Sequence, residues 1–232
     1  MIKEIDMFKK VLVSLSLFLV VFGVTACGKT IDSYVLNNMA EITKEYYFGE
    51  NDTMVATLSV GEREEDYLVN GQATELVDYS LLVIKFKEEN IAKAIVFEVK
   101  SGEVTVDVEA EYNSFNNSYM VDIVDDITIG EDFSIVYDEQ TVTLEKQNFA
   151  IDYENALQIV CENLKDKLEE QKSYNHFNAE CYLRVMSEKD DDFSDLYWCF
   201  TCLNYEGESF SVIISTVDGS VLAISDGEEK TA

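Results

Sequence analysis

Five cysteines and a single histidine carry most of the nucleophilic and soft-metal chemistry this chain offers. Four of the thiols, Cys161, Cys181, Cys199 and Cys202, fall in the last third of the sequence. Cys199-Phe200-Thr201-Cys202 has the spacing of a redox pair. Strand residues three apart, however, project to opposite faces, and no helix start follows to lower a thiol pKa. Strands at 179–187 and 195–204, paired across a loop at 187–194, set Cys181 opposite Phe200. Cys202 then lies diagonal to Cys181, on the side of Leu183, Trp198 and the helix that carries Cys161, and Cys199 points away. These thiols read as small buried apolar groups with room for one disulfide between two of Cys161, Cys181 and Cys202. A zinc site from all four lacks a glycine turn, so no metal or other cofactor is expected. Trp198 and Phe200 alternate on the same core face.

His176 would have to be the base of any imidazole-driven triad. It sits among Ser173, Tyr174, Asn175, Phe177 and Asn178, a polar stretch that reads as a solvated loop. Gly-x-Ser-x-Gly, His-Glu-x-x-His, glycine-rich phosphate loops and EF-hand spacing are missing from the sequence. Carboxylates abound, so spacing alone selects no catalytic pair. The densest run, Glu188-Lys189-Asp190-Asp191-Asp192-Phe193-Ser194-Asp195, reads as a solvated hairpin loop with oxygens a calcium ion can use. Gly61-Glu62-Arg63-Glu64-Glu65 reads as a turn with a local ion pair.

Cys27 stands apart from the other thiols. Lys9 and Lys10 precede an apolar run at 11–24, too short to span a bilayer and shaped like a secretory leader; Met7 offers a second start without Glu4 and Asp6. The run ends in Val24-Thr25-Ala26-Cys27-Gly28, which resembles the lipobox of bacterial lipoproteins. That resemblance implies cleavage after residue 26 and a diacylglycerol thioether on Cys27. Two acyl chains suffice for stable anchoring, so it also implies a membrane-held protein on the outer face of a bacterial, most simply Gram-positive, cytoplasmic membrane.

Residues 1–26 are thus a leader and 27–30 a short tether. Ile31, Tyr34, Val35, Met39, Ile42 and Tyr46 recur at helical spacing and predict a helix over 31–48. From 52 to 147 the period becomes two and about eight strands are expected, a small sandwich or barrel, giving a first domain over 31–147. A two-residue turn at Ser101-Gly102 predicts Val99 opposite Val104, Phe97 opposite Val106 and Ile95 opposite Val108. A turn at Glu139-Gln140 predicts Tyr137 opposite Val142 and Ile135 opposite Leu144; a third turn is expected at Asn70-Gly71.

A second domain is expected over 148–228, with a tail at 229–232 that is disordered. Asp152 caps a helix whose apolar stripe is Tyr153, Leu157, Val160, Cys161, Leu164 and Leu168, and strands follow at 179–187, 195–204, 208–216 and 220–225. This order, with Ala156-Leu157-Gln158-Ile159-Val160 in the helix and Ser215-Thr216-Val217-Asp218-Gly219-Ser220-Val221-Leu222 at the last turn, is similar to the PepSY family. The resemblance implies a cystatin-like helix on an antiparallel sheet and a role in restraining or assisting peptidases. The expected fold class is therefore α+β.

Against 46 acidic residues stand 17 basic ones, for a net charge of −29, and Arg63 and Arg184 are the only arginines. That balance excludes a generic nucleic-acid binder and favours cationic partners. With 47% apolar residues the chain can still build cores. The expectation is a lipid-anchored extracytoplasmic protein that binds or regulates without catalysis. The alternatives are a modulator of an exported peptidase and, behind it, a carboxylate-based envelope hydrolase, for which a groove between the two domains is the place to look.

Overall fold

A computed structural model describes residues 30–65, 69–88, 93–130, 132–189 and 192–227. The leader, Cys27, most of the tether, the tail at 229–232 and part of the acidic run at 188–195 lie outside the described residues. Helix α1 (Ile31–Leu36) is followed by strands β1 (Met39–Glu50), β2 (Met54–Glu64), β3 (Leu76–Phe86), β4 (Ile95–Ser101), β5 (Val104–Asn113) and β6 (Ser118–Asp122). Then come β7 (Ser134–Tyr137), β8 (Gln140–Thr143), β9 (Glu145–Lys146) and helices α2 (Tyr153–Asn163) and α3 (Lys165–Glu170). The small pair β10 (Lys172–Ser173) and β11 (His176–Phe177) precedes β12 (Ala179–Lys189), β13 (Asp192–Asn204), β14 (Ser209–Ser215) and β15 (Val221–Gly227).

This overturns the α+β expectation. The described residues are mostly strand, gathered in one large mixed sheet with three short helices, and not a helix-plus-cystatin arrangement. The sheet order is β15-β14-β13-β12-β1-β2-β3-β6-β5-β4-β7-β8, so strands on both sides of residue 147 share it. The joining seam is β1 against β12, the one parallel pair among the described residues, with Ile42 beside Leu183 and Glu41 beside Tyr182. At the far end, β9 returns to β1, pairing Tyr47 with Lys146 and Phe48 with Glu145. Gly49 lets this happen: a Cβ there would lie 2.2 Å from the Thr143 carbonyl oxygen.

The largest correction is the leading helix. Six residues are helical where eighteen were expected, and residues 39–50 are strand. Asn37 and Asn38 end α1: each backbone N–H and each side-chain amide bonds back onto the preceding turn, Asn37 to the Ser33 oxygen and Asn38 to the Val35 and Tyr34 oxygens. β1 is covered on both faces, so its apolar residues run on without clean alternation and mimic a helical stripe.

Three registers also differ from expectation, each by two residues. In β4–β5 the loop is Gly102-Glu103, because Gly102 at φ +59° occupies the first loop position that such hairpins give to glycine. Val99 therefore faces Val106 and Phe97 faces Val108. In β7–β8 both loop residues, Asp138 and Glu139, take positive φ, so Ile135 faces Val142 and Tyr137 faces Gln140. Asn70-Gly71 is not a tight turn; it lies in the long connection from Glu64 to Leu76 and packs on Asn204 and Tyr205. In β12–β13 an irregularity between Ser187 and Lys189 advances the ladder, and Cys181 faces Cys202, with Leu183 facing Phe200.

Two cores result. One lies within the curl of β1–β9 and includes Leu58, Leu82, Phe97, Tyr119 and Phe133. The other lies between the helices and β1, β12, β13 and β14; it holds Trp198 and Phe200 together with Val35, Leu157, Val160 and Cys161. Asp152 caps α2 by accepting from the Asn155 N–H at 2.8 Å, and the expected stripe continues through Leu164 and Leu168 across a break at Leu164. Trp198 donates its indole N–H to the Ile151 carbonyl at 2.8 Å.

Candidate functional site

Parallel pairing at the seam leaves a groove where α1 and α2 lean over β1, at the junction of the two halves of the chain. It has a volume of about 590 Å³, within the range of small-molecule sites. Its floor is apolar: Val35, Met39, Ile42, Leu76, Leu157 and Cys161. Its rim is charged, with Asp32 from α1, Lys44 from β1, Glu62 from β2 and Glu154 from α2. Lys44 is engaged with Glu62 at 2.8 Å, so the rim keeps an excess of negative charge.

Neither the thiol nor the phenol of this groove is poised as a nucleophile. Burial, then the Asp32 carboxylate, push the Cys161 thiol up to about 12, which keeps it protonated at neutral pH. Tyr153, which donates to Glu154 at 3.3 Å, is raised by burial and by that same carboxylate. The arrangement suits retention of a molecule with an apolar body and a positive end: burial holds the body, and the rim carboxylates hold the charge.

The opposite face of the seam carries both arginines. Arg184 donates to Glu41 at 2.6 Å, Tyr79 donates to the other Glu41 oxygen at 3.4 Å, and Thr43 meets the Tyr79 hydroxyl at 3.0 Å. Arg63 does not pair with its acidic neighbours in sequence. It donates to Asp122 at 2.6 Å, 59 residues away, and lies over the Tyr79 ring at 5.2 Å. Glu180, fully buried on β12, accepts from the Tyr182 hydroxyl and from the Asn70 N–H, while its Oε2 has no partner among the described residues. These groups tie β6, β3, β2, β1 and β12 together, and both cations are already neutralised, so the face reads as a stitch across the seam.

The other residues singled out in the sequence are dispersed. His176 is exposed on β11, beside Tyr174 and Tyr205 in a shallow depression whose described lining holds no carboxylate or thiol. Cys199 and Cys202 alternate along β13, Cys199 half-buried and Cys202 in the helix-side core. The four thiols in the described residues are unbridged, and no cluster of three metal-ligating side chains occurs among those residues. A second, smaller pocket of about 280 Å³ at one end of the curled sheet is lined by Phe86, Tyr137, Asp52, Glu88 and Asp138. Lys44, Tyr153 and Glu154 carry no local sign of a site; their elements meet where α2 packs on α1 and β1.

No family model, curated protein or solved structure matches the chain.

Proposed function

We propose that the chain is a membrane-anchored extracytoplasmic binding protein, non-catalytic, that takes a cationic ligand with an apolar body into the groove between α1, α2 and β1. The observation that carries this reading is the groove itself: an apolar floor beneath Asp32, Glu62 and Glu154, with the single rim lysine already paired. The acidity of the chain as a whole points the same way, since its field concentrates cations near the surface.

Two compact probes of equal shape and opposite charge test the ligand class. Calorimetry on the full chain in detergent should show 1-adamantylammonium binding at least tenfold more tightly than 1-adamantanecarboxylate, with Leu157→Trp abolishing the difference by filling the floor. Equal affinity for the two probes would falsify the proposal. Location is tested separately. Cys27→Ala should release the protein from washed membranes, and firm retention of that variant would rule out acylation at Cys27 as the anchor.

A further inference from the structure

Cys181 and Cys202 face each other across β12 and β13, and both are buried in the helix-side core. Their hydrogen-bonding directions decide how close they come. Cys181 donates its backbone N–H to the Asn38 oxygen, toward β1 and away from β13. Asn204, two residues from Cys202 and so of the same phase, donates to Glu208 in the turn toward β14. Neither phase bonds across the β12–β13 ladder, so Cys181 and Cys202 form a non-hydrogen-bonded pair. In such pairs the Cα atoms lie about 4.5 Å apart and the side chains approach most closely, within the span a disulfide bridges. Cys161, the remaining thiol on this side, is turned to Asp32 at the groove, and Cys199 points to the opposite face beside Arg184.

We infer that Cys181 and Cys202 form a disulfide in the exported protein, a cross-strand staple next to the parallel seam. The step is an exchange: one thiolate attacks the disulfide of an exported thiol oxidant, and the second displaces it. Two protein thiols become one S–S bond, and the oxidant leaves as a dithiol. Because burial raises the Cys181 thiol well above its ordinary value, the exchange takes place before the core closes. The inference rests on the outward location proposed above, so the test separates the two.

The full chain, extracted from membranes, is denatured in N-ethylmaleimide without reductant, digested, and mapped by mass. A parallel sample is refolded with oxidised glutathione first. The expected result is a linked peptide pair containing Cys181 and Cys202, two hydrogens lighter than the free peptides, with Cys161 and Cys199 alkylated. Reduction should then lower the midpoint of thermal unfolding by roughly 5–10 °C, the scale for a loop of this length. A bridge in both samples supports the pairing and the location. A bridge only after glutathione upholds the pairing and overturns the location. Alkylation of both Cys181 and Cys202 after glutathione, or a link through Cys161, overturns the pairing.

Discussion

At the scale of single residues, Glu41 ties two other strands to its own. Its two oxygens hold Arg184 and Tyr79, and it is nearly buried, whereas Arg184 is about half exposed. Glu41→Ala takes one hydrogen bond from each partner; because Tyr79 keeps Thr43 and water reaches the guanidinium, the expected cost is about 2 kcal/mol and not the larger value of a fully buried pair. Urea unfolding of Glu41→Ala beside Glu41→Gln measures it, and the amide should recover part of the loss. Tyr46 supplies a pH signature: burial raises its hydroxyl to about 12, from an ordinary value of 10.0. Since the unfolded chain ionises first, this contribution is complete below pH 10 and drains away as pH climbs toward 12. Tyr47 and Tyr79 shift in the same direction, again chiefly through burial. Stability measured between pH 9 and 12 should therefore fall steeply, and Tyr46→Phe should flatten part of that fall.

At the scale of elements, strand alternation and the Asp152 cap are legible in the sequence, whereas turn positions and pairings with distant strands are not. Asp152 marks the start of α2, and Asp152→Ala should cost about 1 kcal/mol in urea unfolding, the usual worth of such a cap. The strands after it fall within a few residues of expectation because β-branched and aromatic residues alternate there. The helix expected over 31–48 stops early because Asn37-Asn38 bonds back onto the preceding turn, and β1 mimics its continuation because cover on both faces erases the period of two. Hairpin faces were legible from alternation, yet pairing slipped by two, since loop positions depend on which residues accept positive φ. The sequence points to a groove only as a place, between the halves; its lining comes from the packing of α1 and α2 on β1, which leaves no mark on any one element. Gly49 gives the closure of the curl a direct test. Gly49→Ala drives a methyl into the Thr143 carbonyl, and should destabilise the chain by about 2 kcal/mol or more while speeding hydrogen exchange at Phe48, which pairs with β9.

At the scale of the molecule, charge opposes compactness. A net −29 over one chain means that self-repulsion outweighs the few ion pairs, such as Lys87–Glu50 and Lys146–Glu45, that salt would weaken. Raising sodium chloride from 20 to 300 mM should therefore lift the thermal midpoint by a few degrees; a midpoint that drops would show that the pairs dominate.

The seam has a last consequence, for how the protein is made. β1 finds β12 about 140 residues further along, so during synthesis its outer edge waits, with every intervening strand already translated, for a neighbour that arrives late. An unpaired apolar edge is a template for aggregation. A ribosome that stalls after residue 147 should thus release a sticky fragment in place of half a working protein.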